Sequence, residues 1–153
     1  MYRNVLDAIR DGDWFFEPES VEPERYQATG AIPGTQSHFA QLMAGRDTIY
    51  FDTDMFNVDA EDQAALRQQA TYLQQFSNIR ATIEGHADER GTREYNIALG
   101  ERRANSAKNY LVSLGVPADR LSVVSYGKER PAAVGSTEQA WARNRRAVTI
   151  VMN

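Results

Sequence analysis

The feature that most constrains this chain is a strand, a glycine-framed polar loop and a long helix, which follow one another between residues 78 and 114. Apolar residues at alternate positions predict a strand over residues 78–85. From about Thr92 to Leu114, apolar or small residues recur at helical spacing, at positions 97, 100, 104, 107, 111 and 114. The loop between Gly85 and Gly91 is therefore expected where a strand gives way to a helix N-terminus, near backbone N–H groups that lack helical partners.

Predicted strands and helices also alternate along the rest of the chain after residue 36. Further strands are predicted at residues 47–52, 121–126 and 147–152. Further helices are predicted at residues 37–44, 60–76 and 137–142, with Asp59 as the N-cap of the second and Trp141 packed inward on the third. Two long helices among four strands predict a two-layer α/β (α+β) domain, with a mixed sheet of about four strands and both long helices on one face. The pattern alone leaves the strand order open.

A change of composition near residue 30 predicts a domain boundary. We expect residues 1–30 to be an N-terminal extension or linker and residues 31–153 to be the folded domain. The extension holds three adjacent aromatic residues at positions 14–16 and an acidic, proline-bearing segment at 17–24. Because the prolines disfavour regular structure, we expect residues 17–30 to be the most mobile, and removal of residues 1–30 to leave folding nearly unchanged.

Composition excludes several classes of function. The net charge is −4, and the basic residues of the second half are interleaved with acids, which disfavours nucleic-acid binding. There is no cysteine, and no apolar run approaches the ~20 residues that a membrane helix needs. His86 and Asp88 are spaced like two metal ligands, but with only His38 elsewhere a third is missing. We therefore expect no metal and no other cofactor.

Two charged residues are the strongest candidates for a binding site. Asp88 lies in the polar loop, and Arg103 lies fifteen residues later in the predicted helix. A carboxylate and a guanidinium held on rigid neighbours can bind the two ends of a zwitterion. The alternative is a purely structural ion pair. Because the predicted strands and helix do not depend on these two side chains, we expect the fold to survive their substitution.

Three stretches carry a family resemblance: GHADERGTREYNIALGERRA at residues 85–104, VSYGKERP at 124–131 and NRRAV at 144–148. They resemble the OmpA-like peptidoglycan-binding domain family and, more closely, the peptidoglycan-associated lipoproteins of the Tol–Pal system. The resemblance covers roughly residues 31 to 153 and implies the two-layer fold already predicted.

The resemblance also implies roles for individual residues. Asp88 and Arg103 match the family's residues that hold the free amine and carboxylate of the diamino acid in the peptidoglycan stem peptide. Thr53 and Asp54 match a loop that contributes to the same pocket. Asn96 is expected to fix the loop and Leu99 to line the pocket. Of the Arg145–Arg146 pair, one is expected to pack against the loop acids.

The implied function is non-catalytic binding of the stem peptide, linking the outer membrane to the cell wall. The implied partner is the Tol propeller protein, the implied state a monomer, and the implied location the periplasmic face of the outer membrane. Since a lipid anchor needs a cysteine, we expect a form without signal peptide or lipidated residue. The alternatives are a flagellar stator type of wall anchor, which would need an N-terminal membrane helix, and a cell-wall hydrolase, for which no nucleophile with its base is evident.

Overall fold

The computed structural model describes residues 30–152. The chain divides into two units, Met1–Leu42 and Met43–Asn153, and each is described by itself. Helix α1 (Gln36–Met43) begins in the first unit. The expectations about residues 1–29, including the mobile segment, the aromatic cluster and the effect of truncation, lie outside the described residues.

The second unit contains a four-stranded sheet with the order β1-β4-β2-β3. Its strands are β1 (Thr48–Tyr50), β2 (Arg80–His86), β3 (Leu121–Gly127) and β4 (Arg146–Met152). β2 pairs in parallel with β3, whereas β4 runs antiparallel to both β1 and β2, so the sheet is mixed. The predicted two-layer α/β fold is confirmed, and the structure supplies the strand order.

Three α-helices of this unit follow in order: α2 (Ala60–Gln75), α3 (Arg93–Ser113) and α4 (Glu138–Asn144). A short 3₁₀ turn, Ala118–Arg120, leads into β3. α3 packs on β2 and β3, while α2 packs on α3 and β1. Facing residues of β2 and β4, Ala81 with Val151 and Gly85 with Ala147, are buried, so the helices cover one face as predicted.

Side-chain and backbone caps set the helix ends close to their predicted positions. Asp59 accepts a hydrogen bond from the Asp62 N–H, which confirms it as the N-cap of α2, and Thr92 caps α3 through the Tyr95 N–H. At the C-terminus of α3, Gly115 has a φ of 107°. The Val116 N–H bonds to the Leu111 carbonyl and the Gly115 N–H to the Val112 carbonyl, which is the Schellman arrangement.

Two glycines bring α3 directly against the sheet. A Cβ atom at Gly85 would overlap the carbonyl of Gly100, and a Cβ at Gly100 would overlap the Ser125 hydroxyl. The backbones of β2 and α3 can therefore meet only because both positions lack a side chain. This close approach places the loop after β2 beside the first turns of α3.

Three details of the prediction are wrong. Ile97 and Leu114 are partly exposed, and the buried stripe of α3 instead includes the polar Asn96 and Arg103. Trp141 is half-buried and lies against the Arg90 guanidinium rather than in the core. β1 spans three residues rather than six.

Candidate functional site

A cavity of about 200 Å³ lies between the loop after β1, the loop after β2 and the N-terminal half of α3. All six residues predicted to bind a ligand line it, together with four that were not predicted. The lining residues are Thr53, Asp54, Ala87, Asp88, Arg90, Gly91, Tyr95, Asn96, Leu99 and Arg103. The structure thus brings the predicted residues together, and their contact with a ligand stays a prediction.

Arg103 holds the two loops of the cavity together. It is 1% exposed, and its guanidinium donates to three backbone carbonyls. Nε bonds to Met55 O at 2.8 Å, Nη1 to His86 O at 3.0 Å and Nη2 to Asp52 O at 3.0 Å. A guanidinium has five N–H donors, so two are not used by these bonds. Arg103 can therefore be a structural tie and still offer donors to the cavity.

This bonding argues against the expectation that the fold is independent of Arg103, whose test is the substitution itself. Without the guanidinium, three carbonyls would lose their donor, and that of His86 is buried. Burial and the nearby Arg145 charge lower the pKa of Arg103 to about 10. The side chain therefore remains cationic at neutral pH.

Asp88 is held by two arginines. Its Oδ1 accepts from the backbone N–H of Arg90 at 3.0 Å and from Arg90 Nε at 3.1 Å, and its Oδ2 accepts from Arg90 Nη2 at 2.7 Å. Arg145 Nη1 lies 3.6 Å from Oδ2, so one arginine of the Arg145–Arg146 pair does pack against a loop acid. Burial alone would raise the pKa of Asp88, but the Arg90 bonds and the two positive charges outweigh it and hold the pKa below its usual value.

The loop after β1 contributes a second carboxylate, which is more exposed. Asp54 has a φ of 60°, in the left-handed region that Asp tolerates better than most residues. Its Oδ1 accepts from the Tyr95 hydroxyl at 3.0 Å, and this bond raises the pKa of Tyr95. The adjacent Thr53 hydroxyl accepts from Arg90 Nη2 at 3.1 Å. Both residues predicted from this loop therefore bond to residues of the loop after β2 or of α3.

Asn96 and Leu99 lie on the buried side of α3, beneath the cavity. Asn96 Nδ2 donates to the Arg90 carbonyl at 2.8 Å, which ties the loop to the first turn of the helix. Gly91, where the loop turns, has a φ of 97° that suits glycine. Leu99 is 4% exposed and supplies an apolar part of the wall.

Sequence reasoning missed Arg90 and Tyr95. Arg90 bonds to Asp88 and Thr53, and its guanidinium lies 4.0 Å from the centre of the Trp141 ring. Tyr95 is 44% exposed at the rim. Both lie inside the motif at residues 85–104. Arginine two residues after the loop aspartate was the available signal for Arg90, but nothing in the sequence links Tyr95 to Asp54.

The cavity wall is balanced in charge. Arg90 and Arg103 supply two positive charges, and Asp54 and Asp88 supply two negative ones. Such a wall suits a ligand that carries both an ammonium and a carboxylate, since each finds an opposite charge. Hydroxyl and amide groups from Thr53, Tyr95 and Asn96 add neutral hydrogen-bonding capacity.

The described residues contain no group of three His, Asp or Glu side chains arranged to hold a metal ion. His86, the predicted neighbour of Asp88, instead places Nε2 3.2 Å from Glu84 and stacks on Tyr126. Burial lowers the pKa of His86, so its imidazole is neutral at pH 7. Within residues 30–152, no helix has both the length and the apolar character needed to cross a membrane.

Comparison with known proteins gives a consistent family. The family model described as "OmpA family" matches residues 50–145. The chain is 52% identical over 124 residues to the peptidoglycan-associated lipoprotein of Rhizobium meliloti, covering 81% of this chain and 69% of that protein. It is 51% identical over 118 residues to that of Pseudomonas aeruginosa, covering 77% and 69%.

Solved structures agree. The crystal structure of the peptidoglycan-associated lipoprotein from Burkholderia pseudomallei is 44% identical, with a TM-score of 0.67 over 69% of this chain and 89% of that one. The C-terminal domain of Helicobacter pylori MotB reaches a TM-score of 0.64 at 18% identity, covering 69% and 84%. The second likeness shows the shared fold alone.

Proposed function

Because this chain belongs to the OmpA family, and within it to the peptidoglycan-associated lipoproteins, we propose that it binds peptidoglycan and anchors the cell envelope to it. The support is the name shared by relatives at about 50% identity, each matched over more than two thirds of its length. The binding element is the cavity between the loops after β1 and β2.

The ligand group that this cavity takes is the free end of the diamino acid in the stem peptide. The observation that carries this proposal is the balance of charge in the cavity lining, where two guanidinium and two carboxylate groups surround a volume of about 200 Å³. The side chain of diaminopimelate ends in one ammonium and one carboxylate on the same carbon. A cavity of one charge sign would bind one of these groups and repel the other.

Each residue then has a defined role. Asp88 takes the ammonium, and Arg103 takes the carboxylate with the donors left over from its backbone bonds. Asp54 and Thr53 close the opposite wall, while Asn96 holds the loop and Leu99 contacts the methylene groups. Since Arg90 already occupies the Asp88 carboxylate, the incoming ammonium shares that carboxylate with it, and Arg90 adds a second cation for the ligand carboxylate.

The activity is binding without catalysis. Asp88, the most buried carboxylate of the cavity, is kept ionised by two arginines, which suits an electrostatic clamp better than a general acid. Incubation with purified sacculi distinguishes the two functions. Sedimentation of the protein with the sacculi, without release of soluble fragments over time, is the expected result, and steady release of fragments would favour a hydrolase.

The remaining parts of the proposal follow from the family. The protein works as a monomer at the periplasmic side of the outer membrane, in a form that carries a lipid anchor, and its protein partner is the Tol propeller protein. Co-purification tests the partner directly. We expect the propeller protein to be retained with this chain, and its absence from the purified complex would contradict the proposal.

The clamp is best tested on the ligand, because Arg103 also supports the fold. We expect calorimetry to give at least about thirtyfold weaker binding when the free amine of a diaminopimelate-containing stem peptide is acetylated, and the same when its free carboxylate is amidated. Each change removes one partner of a charged, hydrogen-bonded contact in the cavity, which typically costs about 2–5 kcal/mol, and ~1.4 kcal/mol is tenfold.

Protein variants complete the test. Asp88→Asn should weaken binding of the unmodified peptide by a similar factor, while Asp119→Asn, the same change at an exposed site in the 3₁₀ turn, should leave it unchanged. Circular dichroism controls for folding. Equal affinity for the modified and unmodified peptides would refute the clamp.

A further inference from the structure

A second and larger cavity, of about 380 Å³, lies outside the cavity that we propose binds peptidoglycan, which we refer to as the wall-binding cavity. It runs along β1, between that strand and the first turn of α2. Its charged lining is acidic overall: four carboxylates against two guanidinium groups, which are Asp52, Asp59, Glu61, Asp62, Arg46 and Arg145. We refer to it as the β1–α2 groove. The proposed function uses none of its four carboxylates.

Asp62 gives this groove its distinctive chemistry. The residue is 8% exposed, and its Oδ2 has no hydrogen-bond partner among the described residues. Its Oδ1 accepts only a long bond from the Tyr50 N–H, at 3.4 Å. Asp59, the N-cap of α2, lies beside it and accepts from the Asp62 N–H at 2.8 Å. A buried carboxylate oxygen without a donor is an unmet demand for a cation or a hydrogen-bond donor.

The two arginines of the groove do not meet this demand. Arg145 donates Nε to the Phe51 carbonyl at 2.8 Å and Nη2 to Glu138 at 2.9 Å, and its Nη1 faces Asp88. No salt bridge joins Arg46 to an acid within the described residues, and its carbonyl accepts from Gln69. Burial, with the nearby Asp59 and Glu61 charges, raises the pKa of Asp62 to about 6 despite the Tyr50 bond.

The mixture of apolar and acidic residues in the groove lining favours some cations over others. Phe51, Ala65 and Ala142 add apolar surface beside the carboxylates. Such a mixture suits a group with a methylene stem and a charged head, because the stem packs on the apolar side while the head reaches the acids. A bare divalent ion would instead need three or more ligands converging on one point, and the described residues offer no such group of His, Asp or Glu.

The free edge of the sheet adds acceptors. In the β1–β4 pair, the Phe51 N–H bonds to the Arg145 carbonyl and the Thr149 N–H to the Asp47 carbonyl. Since backbone groups alternate in direction along a strand, the carbonyls of Thr48 and Tyr50 point away from β4, toward the side of the groove. A guanidinium, with five donors in a plane, can use both carboxylates and carbonyls at once.

The geometry points to the β1–α2 groove as a docking site for an arginine side chain of a partner protein, separate from the wall-binding cavity. The guanidinium would bond to Asp62 and Asp59, and its methylene stem would pack on Phe51. A lysine side chain meets the same charge but uses fewer of the acceptors.

The test uses the peptide acetyl-Gly-Arg-Gly-amide and the ¹⁵N-labelled protein. Because both ends of this peptide are blocked, it cannot present the zwitterion that the wall-binding cavity requires. We expect saturable shifts of the Tyr50, Phe51 and Asp62 amide signals, and none from the same peptide with citrulline, the neutral isostere of arginine.

Variants locate the site. Asp62→Asn should weaken binding of the arginine peptide at least tenfold. Asp59→Asn, in which Asn still caps the helix, should weaken it as well. Asp119→Asn is the matched control. The proposal is overturned if the shifts do not saturate, if the citrulline peptide binds equally, if both groove variants bind normally, or if calcium chloride saturates the same signals at lower concentration than the peptide.

Discussion

Replacing Asp62 by Asn should stabilise the free protein at neutral pH. The folded state raises the pKa of this carboxyl from 3.8 to about 6, chiefly through burial. Between those two values the folded protein keeps a proton that the unfolded chain has lost. Unfolding then releases a proton, so stability falls as the pH rises, by about 1.4 kcal/mol per pH unit. Over about two units the loss is roughly 3 kcal/mol, and it is complete above about pH 6.

Asn removes this loss but also removes a favourable interaction. Asp62 lies in the first turn of α2, where a negative charge gains about 0.3–1 kcal/mol from the helix dipole. The buried-charge effect is larger, so Asp62→Asn should raise the free energy of unfolding by about 1–3 kcal/mol at pH 7. Asn can still accept the Tyr50 bond, and its amide can donate to Asp59, as a protonated Asp62 would.

The assay is urea unfolding of both proteins from pH 4 to pH 7.5, with the difference in free energy plotted against pH. Because titrating groups that do not interact with Asp62 are common to both proteins, their effects cancel, which leaves the contribution of Asp62 and its coupling to Asp59 and Glu61. The difference should be near zero at pH 4 and should reach its full value above pH 6. Glu61→Gln, at the exposed neighbouring position, should cost at most about 1 kcal/mol at neutral pH. A variant less stable than the parent at pH 7, or a difference that does not change with pH, would refute the reasoning.

Two further predictions concern the packing that supports the wall-binding cavity. Arg103→Met should lower the free energy of unfolding by about 3–5 kcal/mol, because three carbonyls lose their donor. The control is Arg102→Met, at the exposed neighbouring position, which should cost less than about 1 kcal/mol in the same urea titration. Gly85→Ala should lower the melting temperature by more than about 8 °C, because its methyl group would overlap the Gly100 carbonyl and push α3 from the sheet. Thr82→Ala, on the opposite face of β2, is the control, and an equal loss in both strand variants would contradict the close-approach argument.

The sequence by itself determined the elements and the motif that carries the site. Hydrophobic periodicity located four strands and the long helices to within a few residues, and Asp59 marked the start of a helix because capping is a local interaction. The motif at residues 85–104 identified the family, and the resemblance collected all six candidate ligand-binding residues that line one cavity. These features depend on residues close together in the chain or on a long, specific motif, so they can be predicted from the sequence alone.

The tertiary structure decided what those side chains contact. Arg103 bonds to carbonyls 48 and 51 residues away as well as to one 17 residues away, which no local pattern encodes. Likewise, Asp88 meets Arg145 only because the sheet order β1-β4-β2-β3 sets β4 beside β2. The β1–α2 groove could not be predicted from the sequence for the same reason. Asp62 is a typical first-turn acid in sequence, and packing against β1 buries its carboxylate and leaves Oδ2 without a donor. Burial and charge pairing are properties of the assembled layers, and they determine which polar residues support the fold and which remain available to bind.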